Sequence, residues 1–83
     1  MQNTYKSLQV NTNSVSITLN NNKVVNIHND HNYVMLHNVA YNVYSINSNT
    51  IEFIFVDAFD YVITMSYNDL AIALEDNAIQ ILS

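Results

Sequence analysis

Residues 14–28 read SVSITLNNNKVVNIH, and this stretch decides the fold class. Val15, Ile17 and Leu19 alternate with Ser14, Ser16 and Thr18, the period of a half-buried strand. Asn20-Asn21-Asn22 then breaks the pattern. A three-residue loop there sets Leu19 opposite Lys23, Ile17 opposite Val25 and Val15 opposite Ile27. One face of this hairpin is apolar and the other polar.

The same arithmetic extends along the chain. A turn at Asp30-His31 would set Ile27 opposite Val34 and Val25 opposite Leu36. Val34 and Leu36 lie at even positions, whereas Val39, Tyr41 and Val43 lie at odd ones. The chain must therefore bulge, bend or turn at His37-Asn38. A turn at Asn47-Ser48-Asn49 sets Val43 opposite Phe53 and Tyr41 opposite Phe55. A loop at Asp57-Ala58-Phe59 then brings Phe55 to Tyr61, Phe53 to Ile63 and Ile51 to Met65. Asparagine marks these turns because it tolerates the left-handed backbone region and bonds its own backbone. Asn21 or Asn22 and Asn47 or Asn49 are the expected left-handed positions.

The period changes after Met65. Ser66-Tyr67-Asn68-Asp69 has the form of a helix cap with an acid three residues on. Leu70, Ala71, Leu74 and Ala78 share a helical stripe. The helix should run to about Asp76, with Asn77 as a left-handed stop. A hairpin of Ile72 and Leu74 against Ile81 and Ile79 is the rival reading. Residues 78–82 fit either more helix or a last strand. The expected fold is α+β: an antiparallel β-meander of about six short strands, as a coiled sheet or small barrel, with one amphipathic helix near the C-terminus. With 83 residues, one domain over 1–83 is expected.

Composition excludes much chemistry. Cysteine, glycine and proline are absent, and the two basic residues are Lys6 and Lys23. Disulfides, thiol catalysis, Gly-rich phosphate loops and Pro-rich recognition segments are thus excluded. A net charge of −5 argues against nucleic-acid binding. The longest apolar runs are four or five residues, too short for a membrane helix. The polar first twenty residues hold no signal-peptide core, and none of the fifteen Asn lies in a glycosylation sequon. A cytoplasmic location is therefore expected, in the host cell if the protein is viral. The preference for residues with A/T-rich codons suggests an A/T-rich genome, such as that of a low-GC bacterium or its virus.

No enzyme is expected. Asp57 with Asp60, and Glu75 with Asp76, sit at a turn and at a helix end rather than in a cleft. No serine lies in a nucleophile elbow. His28, Asp30 and His31 cluster at a turn, and a ligand- or metal-binding module centred on them is one alternative. The expected register sets His37 opposite Val24, about 13 Å from His28 at 3.3 Å per residue. That leaves too few ligands for a closed site, so neither metal nor cofactor is expected.

Charge is the most informative feature. The chain carries +1 up to Thr50 and −6 from Ile51 onward. Glu52, Asp57, Asp60, Asp69, Glu75 and Asp76 form this one-signed region, and Phe59 sits between two of them. Acids steer basic protein surfaces and an aromatic anchors them. Tyr33, Met35, Tyr44 and Ile72 are apolar on nominally exposed faces and suggest a homodimer. The expected function is non-catalytic binding of a protein with a basic surface. A small viral or mobile-element protein that inhibits a host factor, in the manner of an anti-defence protein, would fit this description. A self-assembling structural or virion accessory protein is the other reading.

Overall fold

The computed structural model describes residues 4–29, 33–58 and 60–82. Among the described residues the chain forms eight strands and one helix. In order they are β1 (Tyr5–Val10), β2 (Ser14–Leu19), β3 (Val24–His28), β4 (Tyr33–Leu36), β5 (Val39–Ile46), β6 (Thr50–Phe55), β7 (Val62–Ser66), α1 (Tyr67–Glu75) and β8 (Ile79–Leu82). The fold is α+β. All pairings are antiparallel, and they make two open sheets, one ordered β1-β2-β3 and the other β7-β6-β5-β4-β8.

The local registers match those read from the pattern. Ile17 pairs with Val25 and Val15 with Ile27. Tyr41 pairs with Phe55, Val43 with Phe53, Phe53 with Ile63 and Ile51 with Met65. Leu19 N–H donates to the Lys23 carbonyl across the three-residue loop, with Asn22 at φ 72°. His37 and Asn38, at φ 51° and 66°, make the two-residue turn between β4 and β5. Both central residues of such a turn need positive φ, which matches the right-handed twist of the strands.

Three expectations change. First, β3 and β4 do not pair: β3 ends the first sheet, and β4 lies inside the second between β5 and β8, while the expected turn at Asp30-His31 lies outside the described residues. Val25, Ile27 and Val34 instead share one core cluster, with Leu36 packed against it, and do not meet in a ladder. With that pairing goes the register that set His37 opposite Val24. Second, β1 and β8 add to the six strands. Third, Asn47 and Asn49 are not among the left-handed residues. Asn47 instead shapes its turn by accepting from Ser45 Oγ at 3.1 Å, and its N–H donates to the Thr50 carbonyl.

Two bulges keep the apolar faces aligned. In β5 the register slips between Val43 and Ser45, so Ile46 pairs with Ile51 and turns to the same face as Val43. In β1 it slips between Tyr5 and Ser7, which keeps Tyr5 beside Leu8 and Val10 on one side. Without each extra residue, side-chain alternation would send Ile46 or Tyr5 to solvent.

The core lies between the two sheets and the helix. Val15, Ile17, Leu19, Val25 and Ile27 come from the first sheet; Val34, Tyr41, Val43, Ile51, Phe53 and Ile79 come from the second. Tyr67, Leu70 and Ala71 bring the helix into the same cluster. Ser66 caps α1, its Oγ accepting from Asp69 N–H at 3.1 Å. At the other end Asn77 N–H donates to the Leu74 carbonyl and Ala78 N–H to the Ala73 carbonyl, with Asn77 at φ 57°. This is the double-bonded left-handed stop, with Asn in the usual place of Gly. The Tyr67 hydroxyl donates to the Asn47 carbonyl at 2.6 Å, and burial pushes its pKa above the ordinary range.

Asn22→Val and Asn77→Val should each cost about 1–2 kcal/mol, because a β-branched residue disfavours positive φ. The glycine variants should be neutral or stabilising, and Asn47→Val should carry no left-handed penalty. Urea unfolding measures all of these. Full tolerance of Val at both positions would contradict the turn geometry.

Candidate functional site

The structure sorts the acidic residues into three places. Helix α1 gathers the first group. Positions three, four and seven apart share a helical face, and Asp69, Ile72, Glu75 and Asp76 are all exposed. Ile72 is 47% exposed in the middle of this stripe, with acids on both sides along the helix. Glu75 is also structural: its Oε1 accepts from the Asn20 N–H at 3.2 Å, which ties the helix end to the β2–β3 turn.

The second group, Asp57 and Asp60, is exposed in the loop between β6 and β7. Strand β7 separates this loop from the helix, a span of about 16 Å for five residues. Phe59, the expected anchor, lies outside the described residues. Glu52 stands alone on the outer face of β6, where it pairs opposite Ser45 and Thr64 and accepts from Thr64 Oγ1 at 3.3 Å. The six acids thus do not form one patch.

The apolar candidates divide too. Tyr33, Met35 and Tyr44 lie on the outer face of the five-stranded sheet, whereas Ile72 is on the helix. Tyr33 and Tyr44 are each more than half exposed, and Met35 is half-buried. The ladder pairings run Val62 to Ile54, Ile54 to Asn42, Asn42 to Tyr33 and Tyr33 to Leu82. These residues form one row across all five strands, apolar except for Asn42. The hairpin register alone implies the Ile54–Val62 pair. Leu82 joins the row only because β8 docks beside β4, a long-range pairing that no local pattern reveals.

A third feature is absent from the sequence pattern. The free edges of β3 and β8 border a cleft of about 420 Å³ with Leu74 of the helix in its lining.

Among the described residues no three His, Cys, Asp or Glu side chains group in a way that could hold a metal ion. His28 lies in the first sheet and His37 in the turn between β4 and β5 of the second. Asp30 and His31 lie outside the described residues. No helix among the described residues is long and apolar enough to cross a membrane.

No family model matches the chain, nor does any curated protein or solved structure.

Replacing acids separates structural from surface roles. Glu75→Ala should lower the melting midpoint measurably, because Asn20 N–H loses its acceptor. Asp57→Ala and Asp60→Ala should leave the midpoint unchanged. Equal effects in thermal melts would contradict the placement of Glu75.

Proposed function

We propose that this protein is a non-catalytic binding module that meets a basic surface on a partner protein through the exposed face of α1. The observation that supports this most is the helix stripe, where Asp69, Glu75 and Asp76 surround the exposed Ile72. An apolar side chain ringed by one sign of charge combines steering with a contact that excludes water. From Ile51 onward the chain carries six acids and no basic residue. The exposed Asp57 and Asp60 carry the same charge to a second point. Occupying a basic surface would block a partner that uses that surface itself, so the reading takes the form of an inhibitor, of the anti-defence kind if the chain is viral. A cytoplasmic setting belongs to the same proposal and draws on the absence of cysteine and of sequons.

The outer face of the five-stranded sheet favours a second reading, self-association. Its apolar row of Val62, Ile54, Tyr33 and Leu82 carries no charge, and on this face Glu52 is the one acid identified. Two copies of a −5 chain repel least where charge is sparse.

Both readings have direct tests. With a partner captured from lysate and then purified, Asp69→Lys with Asp76→Lys should slow association and flatten its salt dependence. Ile72→Ala should speed dissociation, a loss of about 2 kcal/mol for an anchor of this kind. Binding indifferent to salt and to Ile72 would sink the acidic-face reading. Light scattering at micromolar concentration tests the second: twice the 9.5 kDa chain mass is expected, reverting to 9.5 kDa in Tyr33→Lys. A mass of 9.5 kDa at every concentration would reject self-association.

A further inference from the structure

The cleft between the sheets has walls made of strand edges. β3 is an outer strand of the three-stranded sheet, and β8 is an outer strand of the five-stranded sheet. Antiparallel ladders alternate, so every second residue of an edge strand turns its N–H and C=O away from its neighbour. Leu19 bonds to Lys23 across the β2–β3 ladder. Val25 and Ile27 therefore bond to β2, and Val24 and Asn26 point outward. His37 N–H bonds to the Ala78 carbonyl in line with the β4–β8 register, in which Met35 pairs with Gln80. Gln80 therefore bonds to β4, and Ile79 and Ile81 point outward. All four of these outward-turned residues line the cleft, together with Val25 and Leu74.

Within their own residues these two strands carry none of the usual guards; among the described residues the one charged residue in the cleft's lining is Lys23, just before β3. Exposed strand edges are ordinarily blunted by bulges, charges or proline. β1 has both a bulge at its start and Lys6, whose ammonium donates to Asn22 Oδ1. β7 runs directly into α1. β3 and β8 pair with their neighbours without a bulge, and neither contains Lys, Arg, Asp, Glu or Pro.

We propose that this cleft binds an extended peptide segment of a partner protein as an added β-strand, hydrogen-bonded to β3 on one side and β8 on the other. A segment that pairs with both walls must have both of its own edges free. That requirement excludes the edge strand of a folded sheet, and with it a second folded copy of this chain docking edge to edge. It selects a linear segment with no pairing of its own. Val25 and Leu74 in the cleft call for Val, Ile or Tyr at alternate positions of the segment. The net charge of −5 disfavours acids in the segment and Lys23 in the lining disfavours a cation beside it, so Thr or Ser suits the positions between. This inference stands apart from the acidic helix face and survives its failure.

The probes are three capped heptapeptides with Val, Ile or Tyr at alternate positions and Thr or Ser between them, titrated into nitrogen-15-labelled protein. At least one should give saturable amide shifts concentrated in residues 23–26 and 79–81. The same peptide N-methylated at alternate backbone nitrogens should bind at least tenfold more weakly. Val24→Pro removes an outward N–H without breaking a β2 ladder bond and should cause a similar loss in a folded protein. If that variant does not fold, the N-methyl comparison on the unmodified protein decides. No saturable shifts with any of the three would overturn the proposal. So would shifts centred on the outer sheet face, or equal binding of the N-methylated peptide.

Discussion

The structure depends on one constraint: each sheet turns one strongly apolar face inward, and these two faces are buried against each other and the helix. The first sheet presents Val15, Ile17, Leu19, Val25 and Ile27, and the second presents Val34, Tyr41, Val43, Ile51 and Phe53. Each fully buried Val, Ile, Leu or Phe contributes about 1.5–3 kcal/mol, so separating the layers would expose most of what stabilises a chain of this size. Helix α1 closes the layers by adding Tyr67, Leu70 and Ala71 to the same cluster. Among the described residues no charged side chain is buried, and the hydroxyl of the buried Tyr67 is met by the Asn47 carbonyl.

A chain without glycine meets this constraint by other means. Asn22, His37, Asn38 and Asn77 take the left-handed positions that glycine would usually hold. Asn and His are among the non-glycine residues enriched there. The bulges in β1 and β5 correct parity where the apolar residues fall out of step. The same slip at Tyr44 and Ser45 leaves Tyr44 exposed on the outer face, beside Glu52 and away from the core. One irregularity thus serves burial on one side of the sheet and shapes the surface on the other.

Much of the fold was legible in the sequence where contacts are local. The β2–β3, β5–β6 and β6–β7 registers follow from alternation and Asn-rich turns. The helix start follows from Ser66 and Asp69, and its stop from Asn77. What was not legible is long-range. β1 hides its alternation because the bulge places Tyr5 and Leu8 three apart. β8 is a four-residue strand whose neighbour, β4, precedes it by more than forty residues. β3 and β4 have the parity of a hairpin yet belong to different sheets, because sharing a core satisfies the same apolar pattern as pairing in a ladder. The site suffered most from this. The acids are adjacent in sequence order but are divided among the helix, a loop and an outer face. The cleft between β3 and β8 exists only through the pairing of β8 with β4.

The central claim is that the two sheets share a core but not their edges. Amide hydrogen exchange on the unliganded protein tests it most directly. The alternation of ladder bonds predicts slow exchange at Val25, Ile27 and Gln80 and fast exchange at Val24, Asn26 and Ile81. Uniform protection along β3 and β8 would mean that these edges are already paired, and would contradict the account.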